Sequence, residues 1–171
     1  MTDLLTYQKE DHQKWGPLFV EALKIALEFQ GDQKDFESEA PYIFHLMRVS
    51  HRCKSYPAKI TAILHDVVED SDCTLTTLDE RGMPAIIVSA VNLLTHDNDI
   101  DYYDYVRGIR SEILKSGGKD KAASVAREVK LSDLMDNMHI RRDGLALYNE
   151  RCMKRIARYR KAWRILMELE D

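Results

Sequence analysis

The stretch AILHDVVEDSD, residues 62–72, sets His65 beside Asp66 and Glu69 beside Asp70 in a segment otherwise built from Ala, Ile, Leu and Val. Pro57 stands just upstream, and a proline's missing N–H costs nothing in a first helical turn. The spacing predicts a helix that opens at Pro57 and carries residues 62–70 into an apolar core. Charge on such a helix has three readings: a metal site, an acid–base pair, or a solvated helix end. The last is the weakest, because acidic groups at a helix C-terminus oppose the macrodipole.

The same periodicity continues on both sides. Upstream, a helix over 15–29 presents Leu18, Phe19, Ala22, Ile25, Ala26 and Phe29 on one face. A polar loop, GDQKDFESEA, follows, and Pro41 opens a second helix carrying residues 42–53. Downstream, the pattern predicts a short helix over 74–82 and a mostly buried one over 83–95. An amphipathic helix over 102–115 is closed by Gly117-Gly118. Two more follow over 120–139 and 150–169. No segment alternates with period two. The expected fold is all-α, a bundle of about eight helices in one domain spanning 1–171.

The bulk composition fits that expectation. The chain has 171 residues, 44% hydrophobic and 32% charged, which suits one domain with a real core. A net charge of -4 does not favour nucleic acid or an anionic membrane as partner. No apolar run is long enough to span a bilayer. The polar, acidic N-terminus MTDLLTYQKEDHQKW does not resemble a secretory signal. Three cysteines with no CxxC pairing point to a reduced, cytoplasmic setting.

Three predicted helices carry groups that bind metals: His45 in PYIFHLMRV, His65-Asp66 in ILHDVV, and Asp133 in VKLSDLMDN. Singly, each has a plainer explanation as a hydrogen-bonded core histidine or a solvated aspartate. Neighbours on a helix diverge by about 100°, so His65 and Asp66 share a centre only if it lies alongside the helix. Together, two imidazoles and two carboxylates make a borderline-hard N/O set suited to Mn²⁺, Fe²⁺, Co²⁺, Ni²⁺ or Zn²⁺. Such an ion lowers the pKa of bound water and polarises a phosphoryl oxygen. Glu69 is i+4 from His65 and Asp70 is i+4 from Asp66, positions from which a carboxylate could move protons for that chemistry. Asn137 is i+4 from Asp133. Lys130, at i−3 from Asp133, and Arg48, at i+3 from His45, are candidates to face the cleft and hold phosphate. Arg141 and Arg142 follow the Asn137 turn. The basic residues Arg151, Lys154, Arg155, Arg158 and Arg160 are expected on an exposed face.

These pieces, in this order, resemble the HD-domain metal-dependent phosphohydrolases. Within them the chain is most similar to the RelA/SpoT-type hydrolase domain and to stand-alone small alarmone hydrolases. Those proteins remove pyrophosphate from the 3′ position of guanosine tetra- and pentaphosphate. The resemblance runs from Pro41 to about Ile140, through PYIFH, AILHDVVEDS, IVSAVNLLT, YYDYV and VKLSDLMDN. It implies that His45, His65, Asp66 and Asp133 hold the metal, usually Mn²⁺, and that Glu69 and Asp70 are the catalytic acidic pair serving the attacking water and the leaving group. It further implies that Asn137 contacts the sugar and that Tyr159, in RYRKAW, matches a late substrate-site aromatic. The family's basic Arg-Lys pair before the first histidine is replaced here by Phe36-Glu37. Phe36 still offers a flat face for a base, whereas Glu37 would repel phosphate. Hydrolysis is thus better supported than guanosine specificity.

Three functions follow. The leading one is a phosphohydrolase of a small nucleotide, in its sharpest form an alarmone 3′-pyrophosphohydrolase. A sibling is a phosphatase of another nucleotide or of NADPH. The third is a nucleotide-binding regulator without turnover, which the Glu69-Asp70 pair disfavours. A dinuclear oxygenase would need more histidines between the His-Asp pair and Asp133. Only His96 lies there, in THDND, where it is expected to be an ordinary loop residue.

Overall fold

The computed structural model describes residues 4–35, 39–139 and 150–168, with side chains from residue 11 onward. Among the described residues there are eight helices: α1 (Leu4–Gln30), α2 (Ile43–Arg52), α3 (Tyr56–Leu64), α4 (Leu75–Glu80), α5 (Ala85–Leu94), α6 (Tyr102–Lys115), α7 (Lys121–Asn137) and α8 (Glu150–Leu166). The one extended pairing among the described residues is an isolated bridge between Lys34 and Pro41. The expected all-α bundle is the observed one.

Local chemistry explains most of the boundaries. Ser55 caps α3 by accepting from the Ala58 N–H at 3.3 Å, with Pro57 in the first turn. Asp101 and Asp120 cap α6 and α7 through the N–H groups of Tyr103 and Ala123, at 2.8 and 3.0 Å. Gly117 and Gly118, both at positive φ, close α6 as predicted. The Gly118 N–H reaches Ile113 O at 2.9 Å and that of Gly117 reaches Leu114 O at 3.0 Å, the two bonds of a Schellman ending.

Two helices depart from the expected bounds. α1 begins well before Trp15 and runs through Pro17. α3 stops at Leu64 rather than carrying residues 62–70. The chain past it is held by side chains that take up carbonyls a helix would use: His65 Nδ1–H bonds Ala62 O at 2.9 Å, Ser71 Oγ bonds Val67 O at 2.5 Å, and Gln33 Nε2 bonds Asp70 O at 2.9 Å. Glu69 and Asp70 therefore do not sit on the last turn of a helix, and the macrodipole has no bearing on them.

α3 is the central post, packed against α1, α2, α5 and α7. Residues 60–64 are fully buried, and the apolar core divides around them. On one side Ile60, Ile63 and Leu64 meet Ile25, Leu46, Leu78 and Ile87. On the other, Ala58 and Ala62 meet Val49, Leu94, Val129, Leu134 and Ile165. Burial on this scale, at about 25 cal/mol per Å² of apolar surface, fixes the C-terminal end of α3 against α2 and α7. Those three helix regions carry the polar groups described next.

Candidate functional site

His45, His65 and Asp133 are all buried polar residues, placed by α2, the end of α3, and α7. One ligand atom from each lies within 4.8 Å of the others. His45 Nε2 is 3.3 Å, and His65 Nε2 3.7 Å, from Asp133 Oδ1. Asp66 stands beside them, with Oδ2 2.9 Å from His65 Nε2 and accepting a hydrogen bond from the Tyr42 hydroxyl. The ending of α3 at Leu64 removes the geometric difficulty foreseen for adjacent residues on a helix. His65 caps the helix and Asp66 lies in the turn beyond, free of a shared cylinder.

The histidine tautomers are set from behind. His65 gives its Nδ1 proton to Ala62 O. His45 Nδ1 is 2.8 Å from Asp136 Oδ2, so its Nε2 also faces the cluster. Asp136 is itself buried and gripped from outside. Arg48 spans both its oxygens at 3.0 Å each, and Arg52 Nη1 donates to Oδ1 at 2.7 Å. Burial opposes ionisation of Asp136, but His45 and Arg48 hold its carboxyl far below the usual range.

The cluster suits a cation. His65 Nε2 is buried and makes no hydrogen bond, despite the carboxylates near it. Burial alone would lower the His65 pKa, but Asp66 and Asp133 more than reverse this and push it up to about 10. A field that favours a proton there so strongly also favours a metal ion. Two imidazoles and one or two carboxylates are the donor set of a borderline divalent metal, and no thiolate is near.

Asp133 is further held by two neighbours on α7. Lys130 Nζ lies 3.1 Å from Oδ2, and the Asn137 amide donates to Oδ1 at 2.5 Å. Burial disfavours the Lys130 charge, but Tyr105 and Asp133 outweigh it and raise its pKa well above normal. Its ammonium also lies 5.5 Å from the Tyr105 ring centre and 6.0 Å from that of Tyr102.

A cavity of about 1070 Å³ opens over the cluster. Asp66, Glu69, Asp70 and Asp133 line it. Glu69 Oε2 accepts from the backbone N–H of His96 at 2.9 Å, which ties it to the loop after α5. Burial, and then the charges of Asp66 and Glu69, push the Asp70 carboxyl up to about 6. Tyr102, Lys130, Asn137 and Tyr159 line it as well. The structure thus brings Glu69, Asp70, Lys130, Asn137 and Tyr159 onto one cavity with Asp66 and Asp133 of the ligand cluster.

Arg48 is a correction. It does not line the cavity, because its guanidinium is committed to Asp136 on the far side of His45. The basic face of α8 is exposed at Arg151, Lys154, Arg158 and Arg160, as expected, and Arg151, Lys154, Arg155 and Arg158 also line the cavity. His96, expected as an ordinary loop residue, also lines it, with its ring 4.8 Å from that of Tyr105. Phe36, Glu37, Arg141 and Arg142 lie outside the described residues. Asp136 and Arg52 had no role foreseen. Their signal was present as Asp136 at i+3 from Asp133, and Arg48 and Arg52 one and two turns from His45.

No family model matches the chain. It is 28% identical, over 128 residues covering 70% of this chain and 67% of the relative, to guanosine-3′,5′-bis(diphosphate) 3′-pyrophosphohydrolase MESH1 of Drosophila melanogaster. Its fold matches a solved structure described as a metazoan ortholog of SpoT that hydrolyses ppGpp. That match has a TM-score of 0.61 at 22% identity and covers 89% of this chain and 93% of the other. The chain thus shares the fold of that ppGpp-hydrolysing protein and is similar in sequence to a guanosine-3′,5′-bis(diphosphate) 3′-pyrophosphohydrolase. None of its described helices is long and apolar enough to cross a membrane.

Proposed function

We propose that this protein is a metal-dependent phosphohydrolase of a small nucleotide, acting in the cytoplasm, and that its substrate is a guanosine 3′,5′-bis(diphosphate) from which it removes the 3′-pyrophosphate. One observation carries the reading. Asp66 and Asp133, the carboxylates of a buried N/O ligand cluster, share one cavity with an acidic pair and a set of cations. The similarity to MESH1 supports the choice of substrate.

His45, His65, Asp66 and Asp133 would hold the ion, for which we favour Mn²⁺. A bound ion of this kind supplies Lewis acidity toward a phosphoryl oxygen and makes water a stronger acid. The protein's own groups divide the remaining work. Glu69, held by the His96 N–H, would accept the proton of the attacking water. Asp70, whose pKa is raised to about 6, keeps a proton more readily than an ordinary aspartate and suits donation to the departing oxygen. Lys130 balances the charge of Asp133 beside the reacting phosphate. Asn137 and Tyr159, which line the same cavity, would meet the sugar and base.

The test is a phosphate-release panel with Mn²⁺ present and absent. We expect pyrophosphate from guanosine tetraphosphate only with metal. Orthophosphate from NADPH or a mononucleotide, without pyrophosphate from the tetraphosphate, would replace this substrate with the sibling one, which the Phe36-Glu37 departure favours. Tight nucleotide binding without any product would make the protein a non-catalytic regulator.

A further inference from the structure

Glu69 is exposed and sits in the turn beyond Leu64, where α3 ends, so no helix aims its side chain. A long exposed side chain populates many rotamers, whereas a general base acts from one orientation. What orients this carboxylate comes from a distant segment: the backbone N–H of His96 donates to Glu69 Oε2 at 2.9 Å. That N–H belongs to the loop leaving α5. Thr95 ends the helix in an extended conformation, with its Oγ1 donating to Val91 O at 3.0 Å. Residues 97–101 are exposed and include Asp97, Asp99 and Asp101. The His96 imidazole anchors this loop on two sides. Its Nε2 lies 2.8 Å from Ile100 O, and because a carbonyl only accepts, Nε2 carries the proton. Its ring lies 4.8 Å from that of Tyr105 and 6.0 Å from that of Tyr102, both in the first turn of α6. Tyr105 in turn donates its hydroxyl proton to Leu94 O, at the end of α5.

We propose that His96 is a positioning residue: its imidazole fixes the exit from α5 against Ile100 and Tyr105, and so aims the residue's own N–H at Glu69. The proposal rests on the reading of Glu69 as acceptor of the water proton. Charge gives the anchor its purpose. Asp97, Asp99 and Asp101 put like charge on a loop that has to lie against Glu69, a repulsion that an unanchored loop would relieve by moving away. The turn at 97–100 does not itself need the ring. The Ile100 N–H donates to Asp97 O at 2.9 Å, and the Asp99 N–H to Asp97 Oδ1 at 3.0 Å. Loss of the imidazole should therefore release the attachment of the loop and leave its turn and the bundle intact.

His96→Ala tests this, with guanosine 3′,5′-bis(diphosphate) as substrate and Mn²⁺ present. kcat should fall by about 10–100-fold, the scale on which a misplaced group costs catalysis, while KM and metal content stay level. His96→Gln carries an amide that can reach Ile100 O in place of the imidazole, and should restore most of kcat. The decisive measurement is a cycle with Glu69→Gln. A residue that acts through Glu69 costs nothing further once that carboxylate is gone. Equal losses from His96→Ala with and without Glu69→Gln would overturn the proposal, as would an unchanged kcat in His96→Ala alone. If the wild type releases no pyrophosphate, or if Glu69→Gln is fully active, the hydrolase or the acid–base reading fails by itself. Amide hydrogen exchange at residue 96, in protein loaded with diamagnetic Zn²⁺, then decides the positioning. Faster exchange than in the wild type in both Glu69→Ala and His96→Ala supports it, and an unchanged rate in His96→Ala overturns it.

Discussion

The Asp136 carboxylate stands 2.8 Å from Nδ1 of His45, on the side of the ring away from the ligand cluster. Arg48 and Arg52 hold it there. A histidine whose far nitrogen gives its proton to a fixed carboxylate keeps one tautomer and one ring orientation, and becomes a better donor to a metal. Asp136→Asn should therefore weaken metal affinity by about 10–100-fold, the usual cost of losing such a partner. Arg48→Ala should act in the same direction with smaller effect, since Arg52 remains. Metal titration of the apo-protein checks both. Turnover at saturating metal should largely recover, which separates positioning from direct catalysis.

The roles proposed around the α3 ending predict two distinct failures. Asp66→Ala removes a carboxylate from beside His65 and should abolish metal retention. Glu69→Gln keeps the cluster intact and should retain the metal while losing turnover by about 10²–10⁴-fold, the typical worth of a positioned acid or base. Metal analysis alongside steady-state kinetics separates the two. A fully active Glu69→Gln protein would remove that residue from the acid–base assignment.

How much of this was legible in advance depended on how local the cause was. The α6 boundary followed from Gly117-Gly118, because a Schellman ending is written in adjacent residues. The α3 boundary did not, because it depends on carbonyls taken by Ser71 and by Gln33 from a distant loop. The ligand residues were visible as His and Asp on otherwise apolar helices. Asp136 was not, since its partners Arg48 and Arg52 lie on another helix and only packing of α2 on α7 joins them. The α8 cations looked like a solvated face within an acidic chain. Their i, i+3, i+4, i+7 pattern fixes which residues share a side, but only the fold decides what that side confronts.

Asp70 gives a pH signature. Its folded pKa, about 6, lies above the ordinary value of 3.8. An aspartate raised by folding contributes stability that is fully present below its unfolded pKa and is lost as pH rises through the folded one. Asp70→Asn removes that dependence. In metal-free protein the variant should match the wild type in Tm near pH 3.5, relative to its own baseline, and gain on it progressively between about pH 4 and 6, holding the advantage at pH 7. Melting curves across that range check the sign. An advantage that shrinks with rising pH would mean that Asp70 is stabilised as an anion.

Lys130 offers the sharpest separation between holding metal and holding substrate. Its ammonium is 3.1 Å from Asp133 Oδ2, within a side chain only 13% exposed, so it competes with any cation for that carboxylate. It also lines the cavity, where the same charge attracts a phosphate. Lys130→Met preserves most of the packing against Tyr102 and Tyr105 and removes the charge. Metal should then bind more tightly, because Asp133 is no longer shared. The kcat/KM for a nucleotide should nevertheless fall by about tenfold or more, since a charge-assisted contact contributes about 1.5–3 kcal/mol. Opposite movement of the two quantities is the expected outcome. Loss of both metal affinity and kcat/KM would instead make Lys130 a support for the fold of the cluster.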